Sequence, residues 1–439
     1  MPNDEIRRDT IAAIATPAGR GGIGIVRVSG PAVPEIAMRL LGRLPEPRRA
    51  VRASFRDAHG ERIDEGMALY FTAPASYTGE AVLELHGHGG PVVMQSLLSA
   101  CLDAGARLAE PGEFTRRAFL EGKLDLAQAE AVADLIDAAS REAARSALRS
   151  LRGEFSEAIA HLVRELTELR AHTEALLDFP EEELEAAQIG ERAARLAGVR
   201  RTLDAVLEKS RQGSLLRGGI HVVLAGRPNV GKSSLLNRLA GEERAIVTPV
   251  PGTTRDALRE PVQIAGVPLV LVDTAGLRED PDAIERLGIE RTHRELEHAD
   301  VVLAVREAGN NEPLPSLPAA AARVDVYNKV DLTPGFRVPV GALAVSAKTG
   351  EGLERLRESI LGAAGWAATG ESVFLARERH LRALEAARGH LGAAANEHSR
   401  AEFFAEELRL AQAALGSITG EVSADDLLGE IFARFCIGK

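Results

Sequence analysis

The chain has 439 residues, of which 45% are hydrophobic and 27% charged, and its formal net charge at pH 7 is −11. At about 150 residues per domain this length predicts two to four domains, and the acidic balance argues against a broad nucleic-acid-binding face, so any RNA contact should be local or shared with a partner. The two cysteines, Cys101 and Cys436, are too few for a disulfide framework, and the N-terminal stretch has no continuous apolar run, so we expect a soluble cytoplasmic protein with no membrane contact.

Four stretches of different composition follow one another along the chain. Residues 1–119 are short apolar runs broken by turn residues, such as GIGIVRVSG and AVLELHGHGG, and predict a mixed α+β domain. Residues 120–217 are rich in Ala, Leu, Glu and Arg with helical spacing of the apolar positions. Residues 218–367 alternate strand and helix patterns, and helical periodicity returns in residues 368–439. The most economical arrangement is an α/β domain inserted into a discontinuous helical domain, with the tail packed on the earlier helices.

A phosphate-binding loop is predicted at the start of the inserted segment. The sequence GRPNVGKS, from Gly226 to Ser233, fits the pattern G-x-x-x-x-G-K-[ST] between the apolar run IHVVLAG and the helical SLLNRLAG. Backbone N–H groups and the N-terminus of the following helix would hold the α- and β-phosphates of a nucleotide. Lys232 would reach the β- and γ-phosphate oxygens, and the hydroxyl of Ser233 would bind Mg²⁺.

Selection of guanine is predicted from the sequence NKVD, which begins at Asn328, and from the later segment SAKTG. Asp331 would accept two hydrogen bonds, from the ring N1–H and from the exocyclic amine of guanine. Adenine would leave that carboxylate without donors. An Asn-Lys-x-Asp tetrad alone is often a solvated loop, but here it follows a phosphate loop and precedes Ser-Ala-Lys.

The segments PGTTRD and DTAG lie between these motifs. Thr254 is placed to supply a second hydroxyl to Mg²⁺, Asp273 to hold the ion through water, and Gly276 to bring its N–H to the γ-phosphate. Together the motifs predict a P-loop G domain of the Ras-like type. Leu277 follows DTAG and cannot orient the attacking water, so another polar group of that segment must do so. Spacing alone leaves six candidates open: Arg278, Glu279, Asp280, Asp282, Glu285 and Arg286.

Several segments resemble those of the MnmE (TrmE) family of tRNA-modification GTPases. They include GRGGIGIVRVSG, AEPGEFTRRAFLEGKLDLAQAEAVADLIDA, IERLGIER and the terminal CIGK. The likeness covers nearly the whole chain, whereas a phosphate loop alone would indicate only a P-loop NTPase. The resemblance implies a homodimer whose G domains associate across the dimer in the presence of GTP and K⁺.

The resemblance also implies how hydrolysis is catalysed. Glu285 matches the glutamate that orients water in the family, and it would act with Lys232 and Gly276 at the phosphates. K⁺ would take the place of an arginine finger. Its matching ligands are Asn229, Thr248, Val250 and Thr253.

The residues predicted to contact GTP come from the phosphate loop, the two switch segments and the base-binding loops. They are Asn229, Val230, Gly231, Lys232, Ser233, Ser234, Thr248, Pro249, Val250, Pro251, Gly252, Thr253, Asp273, Thr274, Ala275, Gly276, Asn328, Lys329, Val330, Asp331, Ser346, Ala347 and Lys348.

For the N-terminal domain the resemblance implies a bound folate, a tetrahydrofolate derivative in its 5-formyl or 5,10-methylene form. The matching residues are Arg27, Glu84, Lys123 and the terminal Lys439. Without the resemblance, Arg27 is a polar residue on an alternating strand, Glu84 a solvated strand carboxylate and Lys123 a charge at a helix start. Cys436, otherwise a small residue at the edge of a helix, becomes a candidate functional thiol.

The function that the family implies is GTP hydrolysis coupled to C5 modification of the wobble uridine of certain tRNAs, which adds an aminomethyl or carboxymethylaminomethyl group. An FAD-binding, MnmG-like partner would join this chain in a hetero-oligomer, supply the redox chemistry and hold most of the tRNA. A ribosome-assembly or regulatory switch would explain the G motifs equally well, but not the N-terminal domain or the CIGK end. An ATP-using metabolic enzyme is the third alternative, and protection of the chain from unfolding by GDP but not ADP would exclude it.

Overall fold

The structure is a computed structural model that describes most of the chain. The described residues are 9–177, 186–241, 261–273, 299–310, 322–367, 373–397, 400–421, 425–433 and 435–438. Two compact units are present, one formed by Met1–Ala133 with Gly416–Lys439 and the other by Asp134–Leu415. Within the described ranges, every helix is too short or too polar to cross a lipid bilayer.

Both units contain strands and helices. The strands are β1 (Ile11–Ile14), β2 (Gly21–Ser29), β3 (Val51–Arg56), β4 (Arg62–Phe71), β5 (Val82–Gly89), β6 (Arg107–Leu108), β7 (Ile220–Ala225), β8 (Pro261–Ile264), β9 (Val267–Asp273), β10 (Val301–Glu307), β11 (Ala322–Asn328) and β12 (Leu343–Ala344). The helices are α1 (Val33–Leu41), α2 (Pro91–Asp103), α3 (Glu113–Leu120), α4 (Leu126–Ile136), α5 (Arg141–Leu151), α6 (Glu154–Leu177), α7 (Ala186–Gly218), α8 (Lys232–Gly241), α9 (Leu353–Ala363), α10 (Glu378–Ala394), α11 (Ala401–Thr419) and α12 (Asp425–Phe432).

The first unit is built on a sheet with the strand order β3-β4-β5-β2-β1-β6. Neighbouring strands are antiparallel, except that β1 and β6 are parallel. Strand residues point alternately to the two faces, so Val26 and Val28 of β2 join Leu83 and Leu85 of β5 in the core beneath α1 and α2. Arg27 lies between those valines in sequence and therefore points to the opposite face, directly across from Glu84.

The C-terminal helix α12 belongs to the same unit. Its residues Leu428 and Phe432 share a hydrophobic cluster with Leu126 and Ala129 of α4. After the helix, Ile437 forms an isolated antiparallel bridge with Pro111. Residues Cys436 and Ile437 are thereby attached to the segment that precedes α3.

The second unit contains a sheet with the order β12-β11-β10-β7-β9-β8. All neighbouring strands are parallel apart from β8, which pairs antiparallel with β9. The apolar run of β7 lies at the centre of this sheet and is almost wholly buried, as expected for a strand covered on both faces. This topology, with a phosphate loop after the central strand, confirms the predicted P-loop G-domain fold, and the first unit confirms the predicted mixed α+β domain.

The helices of the second unit pack with the inserted sheet. Ala143 and Ala147 of α5 lie in one hydrophobic cluster with Val262 and Ile264 of β8. Helix α10 packs on α7, in agreement with the expected packing of the tail on the earlier helices, whereas the chain from Gly416 onward groups with the N-terminal residues. The division into four sequence ranges stays a prediction.

Candidate functional site

The phosphate loop connects the end of β7 to the start of α8. Asn229 and Gly231 both have positive φ, 64° and 92°, and a side chain on Gly231 would collide with the amide of Asn328. Gly226 packs against the carbonyl of Val305, which leaves no room for a Cβ there. Both glycines of the motif are therefore required by close approach of the backbone to neighbouring strands, in addition to any ligand.

The polar groups of this loop are arranged as a phosphate site requires. Lys232 is 8% exposed, and its ammonium donates hydrogen bonds to the carbonyls of Gly226 at 2.8 Å and Arg227 at 3.1 Å. Asn229 and Ser233 are exposed on either side of it. The N-terminus of α8 lies at Lys232, so backbone N–H groups, an ammonium and a hydroxyl are gathered at one helix end. This donor set fits a phosphate with Mg²⁺.

Asn328 joins the phosphate loop to the predicted base-binding loop. Its side chain is 1% exposed, and its amide donates to the carbonyl of Val230 at 3.0 Å. Its carbonyl oxygen accepts the N–H of Ala347 at 3.1 Å. Asn328 is therefore a buried bridge between the phosphate loop and the SAKTG loop, a structural role that the sequence motif alone did not indicate.

The remaining tetrad residues surround this bridge. The hydroxyl of Ser346 donates to Asp331 Oδ1 at 2.6 Å and accepts the N–H of Thr349 at 3.1 Å, which fixes the carboxylate at the start of the SAKTG loop. Lys329 has a φ of 64° and forms an ion pair with Glu307 at 3.2 Å. Val330 is half-buried and Lys348 is exposed. The structure thus brings the tetrad, the SAKTG loop and the phosphate loop together at one end of the parallel strands, where α/β sheets bind ligands.

Several predicted residues lie outside the described residues, and their roles stay predictions. Asp273 is the last residue of β9, and the structure describes its backbone but not its side chain. The others belong to the two switch segments: Thr248, Pro249, Val250, Pro251, Gly252, Thr253, Thr254, Thr274, Ala275, Gly276 and Glu285.

Arg27 and Glu84 form the centre of the predicted folate site. Arg27 Nε and Nη2 lie 3.0 Å and 2.9 Å from Glu84 Oε1, and the guanidinium lies over the rings of Tyr77 and Phe114 at 5.5 Å and 5.8 Å. The Glu84 side chain is 15% exposed, and its other oxygen lies 3.3 Å from His86 Nε2. It is therefore an enclosed, paired carboxylate rather than the solvated one that strand alternation alone suggests.

Tyr77, Phe114 and His86 were missed by the sequence analysis. Burial raises the pKa of Tyr77, against the opposing effects of its hydrogen bond with Thr115 and the charge of Arg27, so the phenol stays protonated. These side chains come from a loop, a helix and a strand that only the fold brings together, and no local sequence signal marks them.

The other residues predicted for the folate site are Lys123 and Lys439, and the candidate thiol Cys436 lies three positions before Lys439. Lys123 is exposed in the turn before α4, with its Cε 3.7 Å from the position of a Cβ on Gly79, in the same loop as Tyr77. Lys439 lies outside the described residues, but Gly438 packs against the backbone of Ile14. Cys436 is exposed, and its carbonyl accepts the N–H of Gly112 at 3.3 Å. Cys101 is buried, and this burial raises the pKa of its thiol to about 12.

A buried charge network lies beside this region. Arg117 is 3% exposed and binds Glu113 at 2.9 Å, Asp9 at 2.7 Å and Glu80 at 3.1 Å. Burial opposes ionisation of Glu113, but hydrogen bonds from Arg107, from the N–H of Glu110 and from Arg117 outweigh it and hold the pKa at about 2. The network fixes α3 against the loop that carries Tyr77.

Comparisons with known proteins cover nearly the whole chain. The family profile described as "MnmE helical domain" matches residues 126–436, and that of "GTP-binding protein TrmE N-terminus" matches residues 10–123. A relative from Azoarcus sp. named "tRNA modification GTPase MnmE" is 62% identical and covers 98% of both chains. Relatives of the same name from Dechloromonas aromatica and Nitrosospira multiformis are 56% and 57% identical, each covering 99% of this chain and 100% of its own.

Among solved structures, the FeoB G domain from Methanococcus jannaschii is 25% identical, covers 33% of this chain and 96% of its own, and has a TM-score of 0.26. Because this TM-score is too low to support a fold assignment, the G domain of this chain is assigned from its strand order and its motifs.

Proposed function

This chain belongs to the MnmE family, and from that membership and the nucleotide site we infer that it is a GTP hydrolase that acts in tRNA modification. The observation that carries the inference is the buried Asn328, which hydrogen-bonds the phosphate loop on one side and the base-binding loop on the other. Guanine selection would come from Asp331, whose carboxylate is held by Ser346. A site that combines these loops can hold one nucleotide by its base and its phosphates together.

For the chemical step we propose that Lys232 neutralises charge on the β- and γ-phosphates and that Glu285 positions the attacking water. Mg²⁺, held by Ser233 and Thr254, would supply further positive charge at the phosphate oxygens. K⁺ would lie beside Asn229, which the positive φ holds exposed at the edge of the loop. The switch residues Thr248, Val250 and Thr253 would complete its site when two G domains associate in the homodimer.

We propose that the first unit binds a tetrahydrofolate derivative at Arg27 and Glu84. A guanidinium lying over two aromatic rings, with a carboxylate at its side, suits a flat heteroaromatic ring that carries both donors and acceptors. The bound one-carbon unit would be transferred to C5 of a tRNA wobble uridine, with an FAD-binding partner supplying the redox chemistry and most of the tRNA contact.

The nucleotide part of the proposal is tested by hydrolysis assays with the full chain. GTP but not ATP should be hydrolysed, faster in K⁺ than in Na⁺, and the preference for K⁺ should shrink in Asn229→Ala. Glu285→Ala should lower kcat by about 100-fold or more while leaving nucleotide affinity close to normal. Equal rates in the two salts would exclude K⁺ as a cofactor, and an unchanged kcat would exclude Glu285 as the water-positioning group.

The folate part separates this function from that of a regulatory or ribosome-assembly switch. Titration of the full chain with a tetrahydrofolate should change the ultraviolet spectrum as the folate binds. Arg27→Met should abolish this folate binding without affecting GTP hydrolysis. A chain that hydrolyses GTP but binds no folate would favour the switch.

A further inference from the structure

The inserted α/β segment leaves the helices after α7 and returns to them before α10, and one carboxylate is bound to both connections. Asp134 Oδ1 accepts hydrogen bonds from Arg217 Nε at 2.9 Å and from Arg377 Nη2 at 2.8 Å. Arg217 lies in the last turn of α7, and Arg377 is the residue before α10. The side chains of Asp134 and Arg377 are only 6% and 13% exposed. The entry and the exit of the insertion are thus held at one buried point on α4.

Further contacts hold the returning connection to the same helices. The carbonyl of Val373 accepts hydrogen bonds from Ser146 Oγ at 2.8 Å and from Arg149 Nη2 at 3.1 Å, both on α5. Gln212 on α7 donates to the carbonyl of Gly365 at 2.7 Å and accepts the N–H of Ala367 at 3.0 Å. The returning connection is therefore fixed to α5 and α7 by side chain to backbone bonds.

The hairpin of β8 and β9 is seated on the same part of the helices. Gln263 Nε2 donates to the carbonyl of Ala139 at 2.5 Å, just before α5. Gly266, at a φ of 79°, turns the hairpin where a side chain would overlap the carboxylate of Glu142. Strand β9 of this hairpin ends at Asp273, the first residue of DTAG. The segment from Asp134 to Leu151 consequently contacts both connections and the hairpin whose second strand leads into the second switch.

We propose that Asp134 is a positioning residue that transmits the nucleotide state of the G domain to the helices, a role that rests on the proposed function. A displacement of β9, the strand that leads into the second switch, reaches the helices only if the two ends of the insertion cannot move independently of each other. A buried carboxylate that accepts hydrogen bonds from both guanidiniums fixes one arrangement of those ends, because sliding of one end past the other would break one of these charge-assisted bonds. Loss of the Asp134 charge should loosen the arrangement while leaving the nucleotide site intact.

Two variants test this role. Asp134→Asn keeps the size of the side chain. Arg217→Gln changes a half-exposed position and serves as the test if Asp134→Asn folds poorly. Glu385→Gln is the matched control, since Glu385 pairs with Arg211 at 2.9 Å between α7 and α10, and neither side chain bonds a described residue of the insertion. Hydrolysis of GTP should stay within about twofold of the parent in all three. The yield of modified uridine per GTP hydrolysed is measured with the flavoprotein partner, tRNA and folate. This yield should fall about tenfold in Asp134→Asn and Arg217→Gln and stay unchanged in Glu385→Gln.

A second measurement does not depend on tRNA modification. Spin labels at the exposed positions Glu354 in α9 and Glu168 in α6, in a chain with Cys436 replaced by serine, report the distance between the G domain and the helices. The distribution should be broader in Asp134→Asn or Arg217→Gln than in the parent or in Glu385→Gln. If the parent makes no modified uridine, the proposed function fails, and this distribution alone decides the role of Asp134.

Two results would overturn the role of Asp134. One is an unchanged yield per GTP together with an unchanged distance distribution in both variants. The other is a loss of GTP hydrolysis in proportion to the loss of modification, because Asp134 would then support the nucleotide site itself.

Discussion

Replacement of Asn328 by alanine should weaken guanine nucleotide binding although the side chain faces other loops. The change removes the donor to the carbonyl of Val230 and the acceptor of the Ala347 N–H, at a position that is 1% exposed. A buried polar group left without a partner costs about 1–3 kcal/mol, so two such groups cost about 2–6 kcal/mol. If about half of this cost, about 1–3 kcal/mol, falls on the bound state, the Kd for GDP should rise by about 5- to 150-fold.

The assay is titration of the full chain with a fluorescent GDP analogue. Tyr327→Phe is the matched control, because Tyr327 is the neighbouring buried residue and its hydroxyl contacts only Arg306, at 3.4 Å, among the hydrogen bonds of the described residues. The control should bind GDP within about twofold of the parent. A Kd for Asn328→Ala within about threefold of the parent would refute the bridging role of this side chain.

Three further predictions concern recognition of the guanine base, stability at acid pH and folate binding. Asp331→Asn should weaken GDP binding by about 100-fold and improve binding of xanthosine diphosphate, measured by competition, and unchanged GDP affinity would count against guanine recognition by this carboxylate. The pKa of Glu113 lies at about 2 in the folded chain against an ordinary 4.5, so its stabilising contribution is complete above that ordinary value and is lost as the pH falls toward 2. The full shift corresponds to at most about 3 kcal/mol, so the unfolding temperature of the parent should fall more steeply with acid than that of Glu113→Gln, and parallel curves would contradict this. Glu84→Gln should weaken folate binding by about tenfold, measured in the ultraviolet titration, whereas equal affinity would remove Glu84 from the site.

The G domain could be predicted from the sequence because its signals are local. The buried strand β7, the phosphate loop and α8 follow one another without interruption, and their residue types are dictated by the turn and by the helix end. The change from short apolar runs to helical spacing of the apolar positions was likewise sufficient to predict the mixed α+β and helical segments. The roles of individual loop residues were less accessible, as the buried bridge at Asn328 shows.

Contacts between distant residues could not be read from the sequence. Arg27 and Glu84 are 57 positions apart and meet only because β2 and β5 pair in one register, and a shift of one residue would place them on opposite faces. Asp134 and Arg377 are 243 positions apart, and their contact depends on how the insertion returns to the helices. Sequence spacing carries no information about such pairs, so the fold itself was needed to find them.

The most direct measurement of the central claim is mass spectrometry of tRNA nucleosides after incubation of the chain with its flavoprotein partner, a tetrahydrofolate, K⁺, tRNA and a nucleotide. We expect wobble uridine carrying a C5 aminomethyl or carboxymethylaminomethyl group when GTP is supplied, and none with GDP or ATP. The same yield with ATP or without a nucleotide, or unmodified tRNA despite steady hydrolysis of GTP, would contradict the claim.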